Sequence, residues 1–203
     1  MKTSSLLGCG YLGFPLALNL LQMGYNVKGS TTTPGKIQQL KKAGIIPYLI
    51  RVDEDMNKDF FEADVLVLTL PFKKTFKDPN IYKNQIKVVC DSIIMSPIQH
   101  IVFTSSSSVY PKDSNIYSPD DNFLPTNLRA EVLLQCEEIL NKLENVSVVT
   151  IRLGGIYSDE RSINKSTKPR RLVSQNDALE YIINGINKLG SNDCINGFKS
   201  IVI

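Results

Sequence analysis

The segment Gly8-Cys9-Gly10-Tyr11-Leu12-Gly13 constrains the fold of this chain more than any other. It lies between a short strand-like stretch at 3–7 and an apolar, helix-length stretch at 11–23. A second strand-like stretch begins near Tyr25. A GxGxxG turn in that setting joins a strand to a helix and opens a βαβ unit. The rest of the chain keeps the rhythm, with short apolar runs alternating with amphipathic stretches. Strands are expected at 3–7, 25–30, 46–51, 64–69, 100–104, 146–152 and 199–203. Helices are expected at 11–23, 34–43, 80–96, 126–144 and 175–189. The runs Val65–Leu68 and Val148–Ile151 are continuously apolar and rich in β-branched residues, as in strands buried on both faces. The reading is an α/β, Rossmann-like, doubly wound parallel sheet of about seven strands. No Pro/Gly/Ser-rich linker divides the chain, so a single domain over 1–203 is expected.

Local signals agree with this pattern. Gly24 follows the first helix as a C-cap glycine does. Leu128, Val132, Cys136, Leu140 and Leu143 make one stripe of the fourth helix, and Glu138 precedes Lys142 by four on its wet side. Ser4 and Ser5 are unusually polar for a central strand. The longest irregular stretches are 105–125 and 155–172, lengths that in a compact α/β domain usually carry function. The second holds Arg161, Lys165, Lys168, Arg170 and Arg171 against Asp159 and Glu160, either a phosphate clamp or a solvated basic loop.

Composition excludes several classes. A net charge of +3 in 203 residues gives no basic surplus for nucleic acid. Cys9, Cys90, Cys136 and Cys194 are too far apart for a CxxC or ribbon motif, and His100 is the only histidine, so no metal site is expected. Scattered cysteines suit reduced thiols in a cytoplasmic protein. No apolar run reaches the ~18–20 residues of a membrane span. Leu6-Leu7-Gly8-Cys9 mimics a lipoprotein cleavage box, but a secretory signal needs ~7–15 apolar residues ahead of it.

Each glycine of the turn has a physical task. Gly8 allows the tight turn, Gly10 admits a pyrophosphate close to the backbone, and Gly13 lets the helix pack against the strand. Cys9, Tyr11 and Leu12 complete the loop, and the helix N-terminus offers N–H groups and a positive dipole end to the anion. An NAD site usually carries an acidic residue after the second strand. Here Ser30, Thr31 and Thr32 stand there, with no acidic residue before Asp53. Nothing repels a 2′-phosphate, and Thr31, Thr32 and Lys36 can donate to one. NADP is therefore expected ahead of NAD, although no arginine accompanies them.

After the fifth strand comes Thr104-Ser105-Ser106-Ser107-Ser108-Val109-Tyr110, at the edge where open α/β sheets bind ligands. Taken in order, GCGYLG at 8–13, the strand ending Thr69-Leu70-Pro71, TSSSSVY at 104–110 and RLGGIY at 152–157 resemble the extended short-chain dehydrogenase/reductases. Within them the chain resembles the NAD-dependent epimerase/dehydratase group, and most of all an atypical GCGYLG branch. That resemblance implies that Ser106 hydrogen-bonds a substrate and that Leu70 and Pro71 line the adenine and ribose. It implies that Gly154, Gly155 and Ile156 line the nicotinamide end; Thr104 and Ser105 are further cofactor-binding candidates. It also implies dimerisation through the helices at 80–96 and 126–144. Leu133 and Leu134 look like a spare apolar strip for such a contact, which leaves homodimer and monomer both open.

The chain departs from that group in two places. The group's Tyr-x-x-x-Lys at the start of the fourth helix is missing. If Arg129 takes the Lys position, Pro125 takes that of Tyr; if Asn127 takes the Tyr position, Glu131 takes that of Lys; no frame restores the pair. Arg129 can hold a ribose or phosphate but cannot trade protons. Tyr110 is the one phenol expected near the site, and with Ser106 it completes the catalytic candidates. His100 is expected at the opposite end of the sheet. Second, the substrate subdomain is reduced to a remnant at 158–174. Three readings follow. The first is a dinucleotide-binding protein with oxidoreductase chemistry altered or lost, taking an unidentified small-molecule substrate. The second is a non-catalytic sensor module. The third, from GCGYLGFPLA and GYNVKGS alone, is a nucleotide-sugar dehydrogenase N-terminal-like domain.

Overall fold

A computed structural model describes residues 2–52, 56–73, 75–113, 115–158 and 170–201. Strands β1 (Thr3–Leu7), β2 (Asn26–Thr31), β3 (Ile46–Leu49), β4 (Val65–Leu68), β5 (His100–Ser106) and β6 (Ser147–Leu153) pair in parallel. A seventh strand, β9 (Asp193–Gly197), joins them beside β6, giving the order β3-β2-β1-β4-β5-β6-β9. The helices are α1 (Gly13–Gln22), α2 (Ile37–Lys42), α3 (Asn80–Ile93), α4 (Leu128–Asn141) and α5 (Gln175–Asn187). The expected Rossmann-like sheet is present, with its order reversing at β1 and β4, the switch point where such sheets bind ligands.

The last strand is a correction. The expected strand at 199–203 is not in this sheet. Residues 199–201 form β10, antiparallel to β8 (Arg170–Ser174), which also pairs with the short β7 (Gly155–Tyr157). The true seventh strand, DCING, is mostly half-buried and lacks an apolar run, because only one neighbour and one edge hold it. Residues 202 and 203, and Arg161, Lys165, Lys168, Asp159 and Glu160 of the basic stretch, lie outside the described residues.

Strand alternation distributes the core to two faces. In β4, Val65 and Val67 pack with α1, α2 and α5, while Leu66 and Leu68 pack with α3 and α4. Each such side chain contributes about 1.5–3 kcal/mol on burial. Ser4 and Ser5 nevertheless occupy the central strand, both fully buried. Ser5 donates to the Phe60 carbonyl at 2.5 Å; Ser4 Oγ has no hydrogen-bond partner among the described residues. Helix α1 ends as expected, with Gly24 at φ +84° and the Tyr25 and Gly24 N–H groups returning to Leu20 and Leu21.

The apolar strip on α4 is not spare. Leu133 is 2% exposed, and Leu134 packs against the same core, so the dimer reading loses the feature that suggested it. Leu128, placed on the core stripe by sequence, is half-exposed at the first turn. The Glu138–Lys142 pair forms at 2.6 Å on the wet side.

Candidate functional site

A cavity of about 820 Å³ lies along the C-terminal edge of β1, β2, β4, β5 and β6. Its floor is the glycine turn. Gly8 has φ +115°, and a side chain there would meet the Thr69 carbonyl at 3.0 Å. A side chain at Gly13 would meet the Gly8 carbonyl at 2.2 Å, so α1 can start this close to β1 only through a glycine. A side chain at Gly10 would meet nothing within 4 Å, which leaves that backbone open to a ligand. The turn is tied to β2 by the Gly8 N–H to Ser30 Oγ at 2.9 Å and by the Cys9 N–H to the Ser30 carbonyl at 2.8 Å. It is also strapped from the C-terminal side. Tyr11 donates its hydroxyl to Ser158 at 2.7 Å and accepts Gln175 at its carbonyl at 2.8 Å. Burial pushes the Cys9 thiol up to about 12, so it stays a protonated, inert group.

The sequence-derived residues fall into two sets. Gly8 to Leu12, Ser30, Thr31, Thr32, Leu70, Pro71, Thr104, Ser105, Ser106, Arg129 and Gly154 line the cavity. Gly13 and Gly155 are not on its wall; they sit behind it, where a side chain at Gly155 would press on Leu172 at 3.1 Å. Tyr110, the candidate phenol, is also off the wall. It is 1% exposed and ringed by Tyr117, Phe123 and Phe198. Its hydroxyl donates to Asn196 at 2.7 Å and accepts from Arg152 at 2.8 Å. Burial raises its pKa, only partly opposed by Arg152, which keeps the phenol neutral. Arg171 likewise faces this aromatic group rather than the cavity, donating to the Pro111 carbonyl at 3.1 Å. His100 starts β5 at the far end of the sheet, between Ser147 at 2.6 Å and the Gly185 carbonyl at 2.9 Å.

The hydroxyls at the strand ends differ in what they offer a ligand. A hydroxyl has one proton to donate. Thr69 donates to the Gly8 carbonyl at 2.8 Å, Thr104 to the Leu68 carbonyl at 2.9 Å, and Ser105 to Glu137 at 2.5 Å. Ser106 instead accepts the Ser108 N–H at 3.2 Å and keeps its proton. Of these four wall residues, Ser106 is the donor toward the cavity.

Sequence reasoning missed the pair behind this row. Glu137 of α4 and Arg152 of β6, 5% and 7% exposed, form a buried ion pair at 2.7 Å. Burial works against the Arg152 charge, but Glu137 and Tyr110 more than offset it and its pKa rises. Through Ser105, Tyr110 and the Pro119 carbonyl the pair joins β5, the following loop and β6. The signal was present: a carboxylate within an apolar helix face and an arginine within an apolar strand. Arg51 and Lys73 were also missed. Arg51 follows β3 and lines the same cavity as Thr31 and Lys36.

Two α4 residues line the cavity, Arg129 and Leu133, one helical turn apart. Pro125, which takes the Tyr position when Arg129 takes that of Lys, is not on the wall. Arg129 donates to the carbonyls of Phe72 and, at 3.4 Å, Lys73. Its guanidinium stacks on Phe72, 3.7 Å from the ring centroid.

This fold and edge cavity define an NAD-binding Rossmann domain. Residues 3–112 match the family described as the NAD binding domain of 6-phosphogluconate dehydrogenase, and the chain belongs to that family. It is 32% identical over 167 residues to Protein YeeZ of Escherichia coli strain K12, covering 79% of this chain and 61% of that protein. The chain thus spans about three fifths of the length of this relative. Among solved structures, it is similar to MoeE5 in complex with UDP-glucuronic acid and NAD (TM-score 0.82, 15% identity, 99% of this chain, 78% of that one). It is similar to UDP-glucuronic acid 4-epimerase from Bacillus cereus with UDP-glucuronic acid and NAD (TM-score 0.79, 17% identity, 99% and 80%). A functionally unknown conserved protein from Silicibacter pomeroyi also shares the fold (TM-score 0.76, 16% identity, 100% and 74%). No helix among the described residues is long and apolar enough to cross a membrane.

Proposed function

We propose that this chain binds NADP ahead of NAD along the sheet edge, as one dinucleotide-binding unit, and that the proton-transfer chemistry of the epimerase group it resembles is altered or lost. The observation that carries this reading is the Arg129/Leu133 pair on the cavity wall. In the resembled group a Tyr and a Lys one turn apart exchange the substrate proton. An arginine cannot do so at ordinary pH, and a leucine cannot lower a neighbour's pKa.

The chain's own residues divide the work. Gly8, Gly10 and the α1 N-terminus hold the pyrophosphate, since Leu12 at the N-cap provides no side-chain cap and an anion completes the turn. Thr31, Thr32, Lys36 and Arg51 hold the adenosine 2′-phosphate, and no carboxylate lines that end among the described residues. Ser106 donates to a substrate oxygen. When bound, the nicotinamide supplies or accepts hydride.

Two measurements test the reading. Calorimetry is expected to show NADP binding at least about tenfold tighter than NAD, ~1.4 kcal/mol; equal affinities refute the 2′-phosphate assignment. A screen of nucleotide-sugars and small carbonyls, followed by NADPH absorbance, is expected to stay well below the ordinary ~1–10³ per second. Turnover in that range, lost in Ser106→Ala, refutes the loss of chemistry. The sensor reading, in which occupancy itself is the output, rests on the same Arg129/Leu133 pair and predicts no turnover at all.

A further inference from the structure

The described lining of the cavity contains four cations, Lys36, Arg51, Lys73 and Arg129, and no carboxylate. They form two pairs. Lys36 and Arg51 follow β2 and β3, whereas Lys73 follows β4 and Arg129 lies on α4, between β5 and β6. In the order β2-β1-β4-β5, the second pair is two to three strands further along. At ~4.8 Å per strand this is roughly 10–14 Å, too far for one phosphate to touch both. The glycine turn lies between them and takes the pyrophosphate. By strand order the second pair stands on the β4–β5 side of the turn, the side on which Ser106 and Gly154 also line the cavity.

Arg129 is held from behind. The Phe72 ring under its guanidinium is itself stacked on Tyr82, with centroids 4.5 Å apart and planes 5° apart. Tyr82 donates to the Leu70 carbonyl at 3.2 Å, which pins the same loop. Of the five N–H donors of an arginine, the Phe72 and Lys73 carbonyls take two. The Lys73 ammonium has no hydrogen bond or ion pair among the described residues. Burial also disfavours the Arg129 charge, opposed in part by Tyr82.

We propose that Arg129 and Lys73 form an anion subsite, so that the small molecule bound beside the dinucleotide carries a carboxylate or a phosphate. The proposal rests on the dinucleotide reading above, which assigns the rest of the cavity. A planar arginine fork accepts either group in a bidentate contact, and a preorganised fork loses little entropy on binding. Where the resembled group exchanges a proton, this chain places a fixed positive charge. The position is converted from proton transfer to ligand recognition.

Nitrogen-15 NMR of the NADPH-loaded chain tests this through the Arg129 Nε–H signal and the amides of residues 72 and 73. The probes are inorganic phosphate, acetate and, as a neutral control, glycerol. Phosphate or acetate is expected to give a saturable shift at least about tenfold tighter than glycerol; the tighter of the two names the anion. Arg129→Gln is expected to weaken the binding by about tenfold or more. Because that change also releases the 70–73 loop, Lys73→Gln serves as the second variant; its ammonium makes no hydrogen bond or ion pair among the described residues, and a weakening of about threefold or more is expected. Anion shifts no stronger than those of glycerol, or unchanged in Lys73→Gln, overturn the subsite. NADPH binding is read separately from its fluorescence. A chain that fails to bind NADPH but shows the saturable anion shift refutes the dinucleotide reading and leaves the subsite standing.

Discussion

The two halves of the cavity are built on different physics. The half around β1, β2 and α1 works through backbone. Its key positions are glycines, and their tasks follow from a positive φ, a 2.2 Å approach and an open space. The half around β5, β6 and α4 works through side chains. There a buried ion pair holds Ser105, and an arginine and a leucine of α4 line the cavity. Backbone chemistry tolerates little variation, so that half keeps a recognisable motif. Side-chain chemistry can be exchanged one residue at a time, so the other half carries whatever is particular to this protein.

The largest effect is expected where the second half depends on its ion pair. Glu137→Leu leaves the Arg152 charge buried without its partner, and breaking such a pair costs about 3–5 kcal/mol. Thermal unfolding should show a large fall in midpoint. An unchanged midpoint would show that the side-chain half does not rest on this pair. A double variant, Glu137→Leu with Arg152→Met, should recover much of the loss, because both charges are then gone.

The backbone half is probed by two glycines with opposite behaviour. Gly13→Ala forces a Cβ into the Gly8 carbonyl, and relieving it should cost about 1–3 kcal/mol together with dinucleotide affinity. Gly10→Val meets no protein atom, so its midpoint should be near that of the parent while dinucleotide heat disappears. If Gly10→Val still binds, the pyrophosphate does not approach this turn.

A smaller effect separates the ends of the cavity. Arg51→Ala should weaken NADP by about tenfold, ~1.4 kcal/mol, and leave NAD nearly unchanged. Equal losses for both cofactors would assign Arg51 to the shared part of the dinucleotide.

The smallest effect lies outside both halves, at the opposite end of β5. Burial lowers the pKa of His100 below its ordinary value. The unfolded chain then takes up the proton first, so stability is full above the unfolded pKa of ~6.5 and falls as pH drops below it toward the folded value. His100→Gln should flatten that slope in denaturant titrations at several pH values without touching cofactor binding. A slope that persists in the variant belongs to other groups.

Residue periodicity and the glycine spacing were enough to determine the alternation of strands and helices, the parallel sheet and the ligand edge. Those signals are local, since a strand buried on both faces is mostly apolar and a turn at the φ of +115° that Gly8 adopts favours glycine. The seventh strand was beyond that reach, because an edge strand with one neighbour does not need an apolar run. So was the alignment of α4. Sequence alone weighed Arg129 against Pro125 and Asn127 against Glu131, and a shift along the helix changes which residues face the ligand. Only the packing of α4 on β5 and β6 turned Arg129 and Leu133 to the cavity and drew Glu137 onto Arg152, fifteen residues away in the chain. Arg51 and Lys36 line one cavity for the same reason, since β2 pairs with β3. Which charges converge on a site depends on distances between elements, and those are settled only when the layers close.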